Sequence, residues 1–110
     1  MSLRVSTQEI GRHLVLAFDG ALDLSSLPRF SDALTKHLRP SMSAVLDLDG
    51  ITVLDDAAVG ILLGVAARRR DAGDPLAVVC TNPDIIDRLR RMGVGAGVPI
   101  VSSVLDIASP

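Results

Sequence analysis

The chain has no tryptophan, no tyrosine and only two phenylalanines among its 110 residues, so leucine, valine, isoleucine and alanine must build the core. Cores of that kind suit helices packed on a sheet. There is one cysteine, which excludes an internal disulfide; Cys80 lies in the apolar run LAVVC and is expected to be a buried small hydrophobe in a reducing compartment. The two histidines, His13 and His37, have no second histidine or cysteine at ligand spacing, so no metal site is expected. A net charge of −2 gives no electrostatic case for nucleic acid or for an anionic membrane. No apolar run approaches the ~20 residues of a membrane span. Ser2 to Glu9 lacks a basic stretch followed by an apolar one, so no signal peptide is expected and a cytoplasmic location is the default. The length predicts one domain over residues 1–110.

What the chain does contain is concentrated between Ala44 and Arg70. Ala44, Val45, Leu46 and Leu48 form a short β-rich apolar run that ends on the turn signal Asp49-Gly50. Asp55 and Asp56 stand where a helix begins, each suited to the unpaired N–H groups and the positive dipole end there. In the helix from Ala57 to about Ala72, Val59, Leu62, Leu63 and Ala66 share the core stripe. The opposite face carries Ala57, Gly60, Ile61, Gly64 and Arg68, with no charge before Arg68. A mid-helix glycine costs roughly 0.5–1 kcal/mol relative to alanine, so a pair needs a reason. Close packing on another helix of the chain is one reason, and a smooth surface for a docking partner is another.

Taken in order, Leu3–Glu9 predicts an edge strand and His13–Phe18 a second strand, joined by a turn at Ile10-Gly11-Arg12 and ended by Asp19-Gly20. Ser25 or Ser26 caps a helix carrying Leu27, Phe30, Leu34 and Leu38 on one face, which Arg39-Pro40 stops. The central strand and helix follow, closed by Gly73. Leu76–Cys80 predicts a buried strand. Thr81 or Asn82 then caps a helix with Pro83 in its first turn, Ile85, Ile86 and Leu89 inward and Gly93 at its end. Val98–Val101 predicts a last strand and Ser103–Ala108 the start of a helix. Alternating strands and helices after an opening hairpin call for an α/β domain: a mixed, mostly parallel sheet of four to five strands with three to four helices packed on it.

Gly93-Val94-Gly95-Ala96-Gly97 follows a helix and precedes a strand, the reverse of a phosphate-binding loop, and reads as a helix end and turn. Arg68, Arg69 and Arg70 close one helix and Arg88, Arg90 and Arg91 another, where cations suit the negative dipole end and solvent. Asp55 and Asp56 are adjacent, with no base or oxyanion partner in view, so neither catalysis nor a cofactor is expected.

Two segments resemble the STAS domain of bacterial anti-sigma factor antagonists. Gly20-Ala21-Leu22-Asp23 is similar to that family's G-E-L-D, and Val53-Leu54-Asp55-Asp56-Ala57-Ala58-Val59-Gly60-Ile61-Leu62-Leu63-Gly64 to its F-M-D-S-S-G-L-G-V-L-L-G. The element order matches over essentially the whole chain. The resemblance implies a domain that docks on an anti-sigma factor, itself a serine kinase, and thereby frees a sigma factor. It places the partner surface at Asp23, Asp55, Asp56, Ala57, Ala58, Gly60, Ile61, Gly64 and Arg68.

The chain departs from the family at the decisive place. The phosphoacceptor serine aligns with Ala57, the serine before it with Asp56 and the glycine after it with Ala58. A methyl cannot be phosphorylated. One reading makes the domain permanently able to dock; the other makes Asp56 a stand-in for phosphate, although one carboxylate has about half the charge and sits one residue out of place. Thr52 and Ser26 are alternative acceptors. Loss of the acceptor also fits an accessory subunit on the cytoplasmic ATPase of a lipid-transporting ABC system, or a scaffold component of a signalling assembly. No membrane insertion is implied, and a homodimer is compatible with the chain.

Overall fold

A computed structural model describes residues 3–108; Met1, Ser2, Ser109 and Pro110, and with them both ends of the domain expected over 1–110, lie outside the described residues. The elements are β1 (Arg4–Ile10), β2 (His13–Leu22), a 3-10 turn (Leu24–Ser26), α1 (Leu27–His37), β3 (Ser43–Leu54), α2 (Asp56–Asp71), β4 (Leu76–Val79), α3 (Pro83–Arg91), β5 (Ile100–Val101) and α4 (Leu105–Ala108). The strands form one sheet in the order β1-β2-β3-β4-β5. β1 pairs antiparallel with β2 through the two-residue turn at Gly11-Arg12, and the other pairings are parallel.

The alternation along each strand sorts side chains onto two faces. Leu14, Leu16 and Phe18 of β2, Leu46 and Leu48 of β3 and Val78 of β4 share one cluster with Phe30 and Leu34 of α1, Val59 and Leu62 of α2 and Leu89 of α3. Three helices thus cover one face, as right-handed crossovers in a single direction require. The two phenylalanines meet in this core, ring centroids 5.0 Å apart and edge to face. On the other face Val15, Val45 and Val79 pack with Val104 and Ile107 around α4.

Both Asp-Gly pairs that read as turns lie inside strands. β2 runs on to Leu22 and β3 to Leu54. Asp19 and Gly50 are register partners, followed by Gly20 and Ile51, and the β2–β3 register shifts on either side. Gly20, at φ +111, supplies the irregularity of a β-bulge. Gly50 is needed for space instead: a Cβ there would lie 1.8 Å from Asp19 Oδ1 and 3.0 Å from the Phe18 carbonyl. Asp49 does not turn the chain either. Its carboxylate accepts the Thr81 N–H at 2.6 Å and the Thr81 hydroxyl at 3.0 Å, tying β3 to the entrance of α3. The expected loop between strand and central helix is therefore reduced to Asp55.

Two arginines expected to be solvated helix caps are structural. Arg69 is 7 % exposed, and its guanidinium donates to the carbonyls of Arg39 and Met42, fastening α2 to the loop that leads into β3. Arg88 crosses from α3 to the start of α2, as described below. Cys80 is buried as expected; burial raises its thiol pKa, opposed by a backbone hydrogen bond of Asn82 and reinforced by the charges of Asp49 and Asp47.

Candidate functional site

The parallel strands β2 and β3 end side by side, Leu22 opposite Leu54, and this edge assembles the predicted residues. The Asp55 N–H donates to the Leu22 carbonyl at 2.7 Å, so the exit of β2 and the entrance of α2 are joined. Asp23 and Asp55 then do the same job on two adjacent turns. Asp55 caps α2, its Oδ1 accepting the Ala57 N–H at 2.8 Å. Ser26 stands at the N-cap position of α1, as expected, but its side chain makes no cap bond to that helix, and Asp23 caps the 3-10 turn that leads into it. Its carboxylate accepts the Ser26 N–H at 3.2 Å and the Ser25 hydroxyl at 2.6 Å, while Ser26 Oγ accepts the Asp23 N–H. Hydrogen bonding, chiefly from the Ser25 hydroxyl, lowers the Asp23 pKa against the opposing effect of desolvation.

Along α2 the expected outer face separates. Asp56, Ala57, Gly60 and Arg68 are exposed, while Ile61 and Gly64 are half-buried. Ala58 is 1 % exposed and faces the core, so it cannot meet a partner. Its methyl is part of the packing beneath the helix start. Arg68 is about 16 Å along the axis from Ala57 by helical rise, away from the cluster at the helix start. Among the described residues nothing accounts for the glycine pair: a Cβ at Gly60 would have nothing within 4 Å, and at Gly64 would meet only Arg68 Nη1 at 3.7 Å. Among the described residues no second helix packs closely on the pair.

Asp56 is not a free carboxylate. Arg88 Nη1 lies 3.4 Å from its Oδ1 and also donates to the Leu54 carbonyl at 2.5 Å. Of the alternative acceptors, Ser26 is 6 % exposed and its hydroxyl donates to the Ala21 carbonyl at 2.7 Å, which removes it from reach of a kinase. Thr52 is exposed, with its hydroxyl on the Gly20 carbonyl at 3.2 Å.

Sequence reading missed two neighbours of this edge. Leu24 is 68 % exposed and Val53 49 % exposed, large apolar side chains at the ends of β2 and β3 where turn residues would ordinarily stand. Their one signal in the sequence is a leucine and a valine beside Asp23 and Asp55. Both stand near the junction of β2, β3 and α2, where Leu22 pairs with Leu54. Among the described residues no helix is long and apolar enough to cross a membrane.

A family model described as the STAS domain matches residues 4–107. Among solved structures, an anti-sigma factor antagonist from Mycobacterium paratuberculosis is similar at 18 % identity and TM-score 0.84, over 96 % of this chain and 90 % of that chain. A variant of RsbS from Moorella thermoacetica is similar at 20 % identity and TM-score 0.74, over 96 % and 94 %. A component of the stressosome, described as a signal integration and transduction hub, is similar at 17 % identity and TM-score 0.67, over 94 % and 95 %. Identities this low speak for the fold alone. Among curated proteins, none matches the chain by sequence.

Proposed function

The chain belongs to the STAS domain family, and from that premise we propose that it is a non-enzymatic docking module, an anti-sigma factor antagonist of the cytoplasm. It binds an anti-sigma factor of the serine-kinase type through the start of α2 and so releases a sigma factor. The observation that carries this reading is the glycine pair on the outer face of α2: among the described residues nothing lies within 4 Å of a Cβ placed at Gly60, and only Arg68 meets one placed at Gly64. Docking does not depend on phosphate at position 57, because Ala57 offers no hydroxyl. Asp56 is a poor substitute for phosphate, since Arg88 offsets its charge. The domain is therefore in its docking state by default, and regulation lies elsewhere.

The test is affinity capture from the native cytoplasm with wild-type protein and with Gly60→Arg as baits. Recovery of a serine-kinase-type anti-sigma factor by the wild type, and its loss with the variant, supports the proposal. Recovery of a lipid-transporting ABC ATPase would move the protein to the accessory-subunit class. Recovery of a multi-STAS assembly would make it a scaffold component. An anti-sigma factor held equally by Gly60→Arg would sink the docking face but keep the class.

A further inference from the structure

At the far end of α2, about 21 Å from Asp56 by helical rise, the helix, the N-terminal ends of β3 and β4, the turn before β5 and α4 line an open cavity of about 400 Å³. Its walls are mainly apolar, built by Ala66, Leu76, Ala77, Val98, Pro99 and Ile107. Small-molecule sites commonly combine such walls with a few placed polar groups. Two of the polar side chains here are already engaged: Ser43 with His13 at 2.8 Å, and Asp74 with the Ser41 N–H at 3.0 Å. Arg70 also lines the cavity and is exposed, and its guanidinium has no hydrogen bond or ion pair among the described residues. The bare Cα of Gly97 leaves it room, since a Cβ there would stand 2.9 Å from Arg70 Nη1.

We propose that this cavity is a binding site for a fatty carboxylate, its hydrocarbon chain against the apolar walls and its head group on Arg70. The charge at the mouth selects the head group. An unpaired guanidinium favours a carboxylate, which it holds with two parallel N–H···O bonds. A phosphate ester or nucleotide fits poorly, because the helix end beside the cavity is the C-terminus of α2, whose dipole is negative, and the Asp74 carboxylate adds to it. The chain of the ligand meets hydrocarbon on every wall named above, and its burial supplies the affinity.

The site lies at the opposite end of α2 from the docking face and does not depend on what docks there. Titration of the wild-type domain with decanoate, decanol and decylamine, followed by backbone amide shifts, tests it directly. Decanoate is expected to move the amides of Gly73, Ala77, Val98 and Ile107 and to bind at least about tenfold more tightly than the other two, the margin of one charge-assisted contact. Arg70→Gln removes an exposed, unpaired group and so spares the fold; it should erase the preference for decanoate over decanol. Gly97→Ala, which displaces only the end of a flexible side chain, should weaken decanoate and leave decanol unchanged. Shifts centred on Gly60 instead, equal affinity for decanol, or an unaltered preference in Arg70→Gln would each overturn the proposal, as would no binding.

Discussion

Arg88 and Asp56 face each other across the entrance of α2, Nη1 to Oδ1 at 3.4 Å, while the same Nη1 donates to the Leu54 carbonyl. The third helix thereby holds the junction on which the candidate docking face stands. The two contacts are unequal. The ion-paired side chains are 43 % and 69 % exposed, a setting in which solvent screening leaves little net energy. The bond to the carbonyl is charge-assisted and partly buried. Arg88→Ala is expected to cost about 1–2 kcal/mol, and Asp56→Ala only about 0–0.5 kcal/mol. Urea denaturation of the two variants checks the asymmetry, and equal losses would contradict it.

Gly60→Ala should stabilise the domain. The site has ordinary helical backbone and open space around the missing Cβ, so the methyl brings helix propensity without strain. A gain of about 0.5–1 kcal/mol is expected in chemical denaturation. A loss would mean that the glycine serves the fold after all, and the argument for a docking surface would fall with it.

Arg69→Met should be costly despite keeping the aliphatic stem. It strips two carbonyls, those of Arg39 and Met42, of their donor in a part-buried setting. About 2 kcal/mol is expected, against less than about 0.5 kcal/mol for the exposed Arg90→Met.

Cys80 should resist alkylation in the native state, since only the thiolate reacts and the residue is 2 % exposed. Its folded pKa is raised by burial above 9.0. Below that value both states carry the thiol and nothing is lost. As the pH climbs past it, the unfolded chain alone gains thiolate, so stability falls until the folded pKa is passed. Urea midpoints on either side of 9.0 should fall more in the wild type than in Cys80→Ala.

Most elements were legible because the signals that define them are local. Short apolar runs marked β2 and β4, Asn82 and Pro83 marked the start of α3, and Gly73 marked the end of α2, each through residues close together in the chain. The Asp-Gly pairs misled for the opposite reason. Asp19-Gly20 and Asp49-Gly50 carry turn chemistry, but each lies against the other strand, and a neighbouring strand satisfies the backbone that would otherwise turn. Ala58 misled in a different way: a small residue in a motif looks like surface until the packing beneath the helix is known.

The sequence by itself determined the alternating α/β order, the start of α2 around Asp55-Asp56 and the absence of any acceptor hydroxyl at position 57, because these depend on residue chemistry and short-range periodicity. Tertiary structure alone decided that Arg69 and Arg88 are braces, that Leu24 and Val53 stay exposed near the joined ends of β2 and β3, and that Arg70 lines an apolar cavity. Each of these depends on side chains far apart in the chain, such as Arg88 with Leu54 and Arg69 with Met42, meeting through the sheet order. No local pattern encodes that proximity.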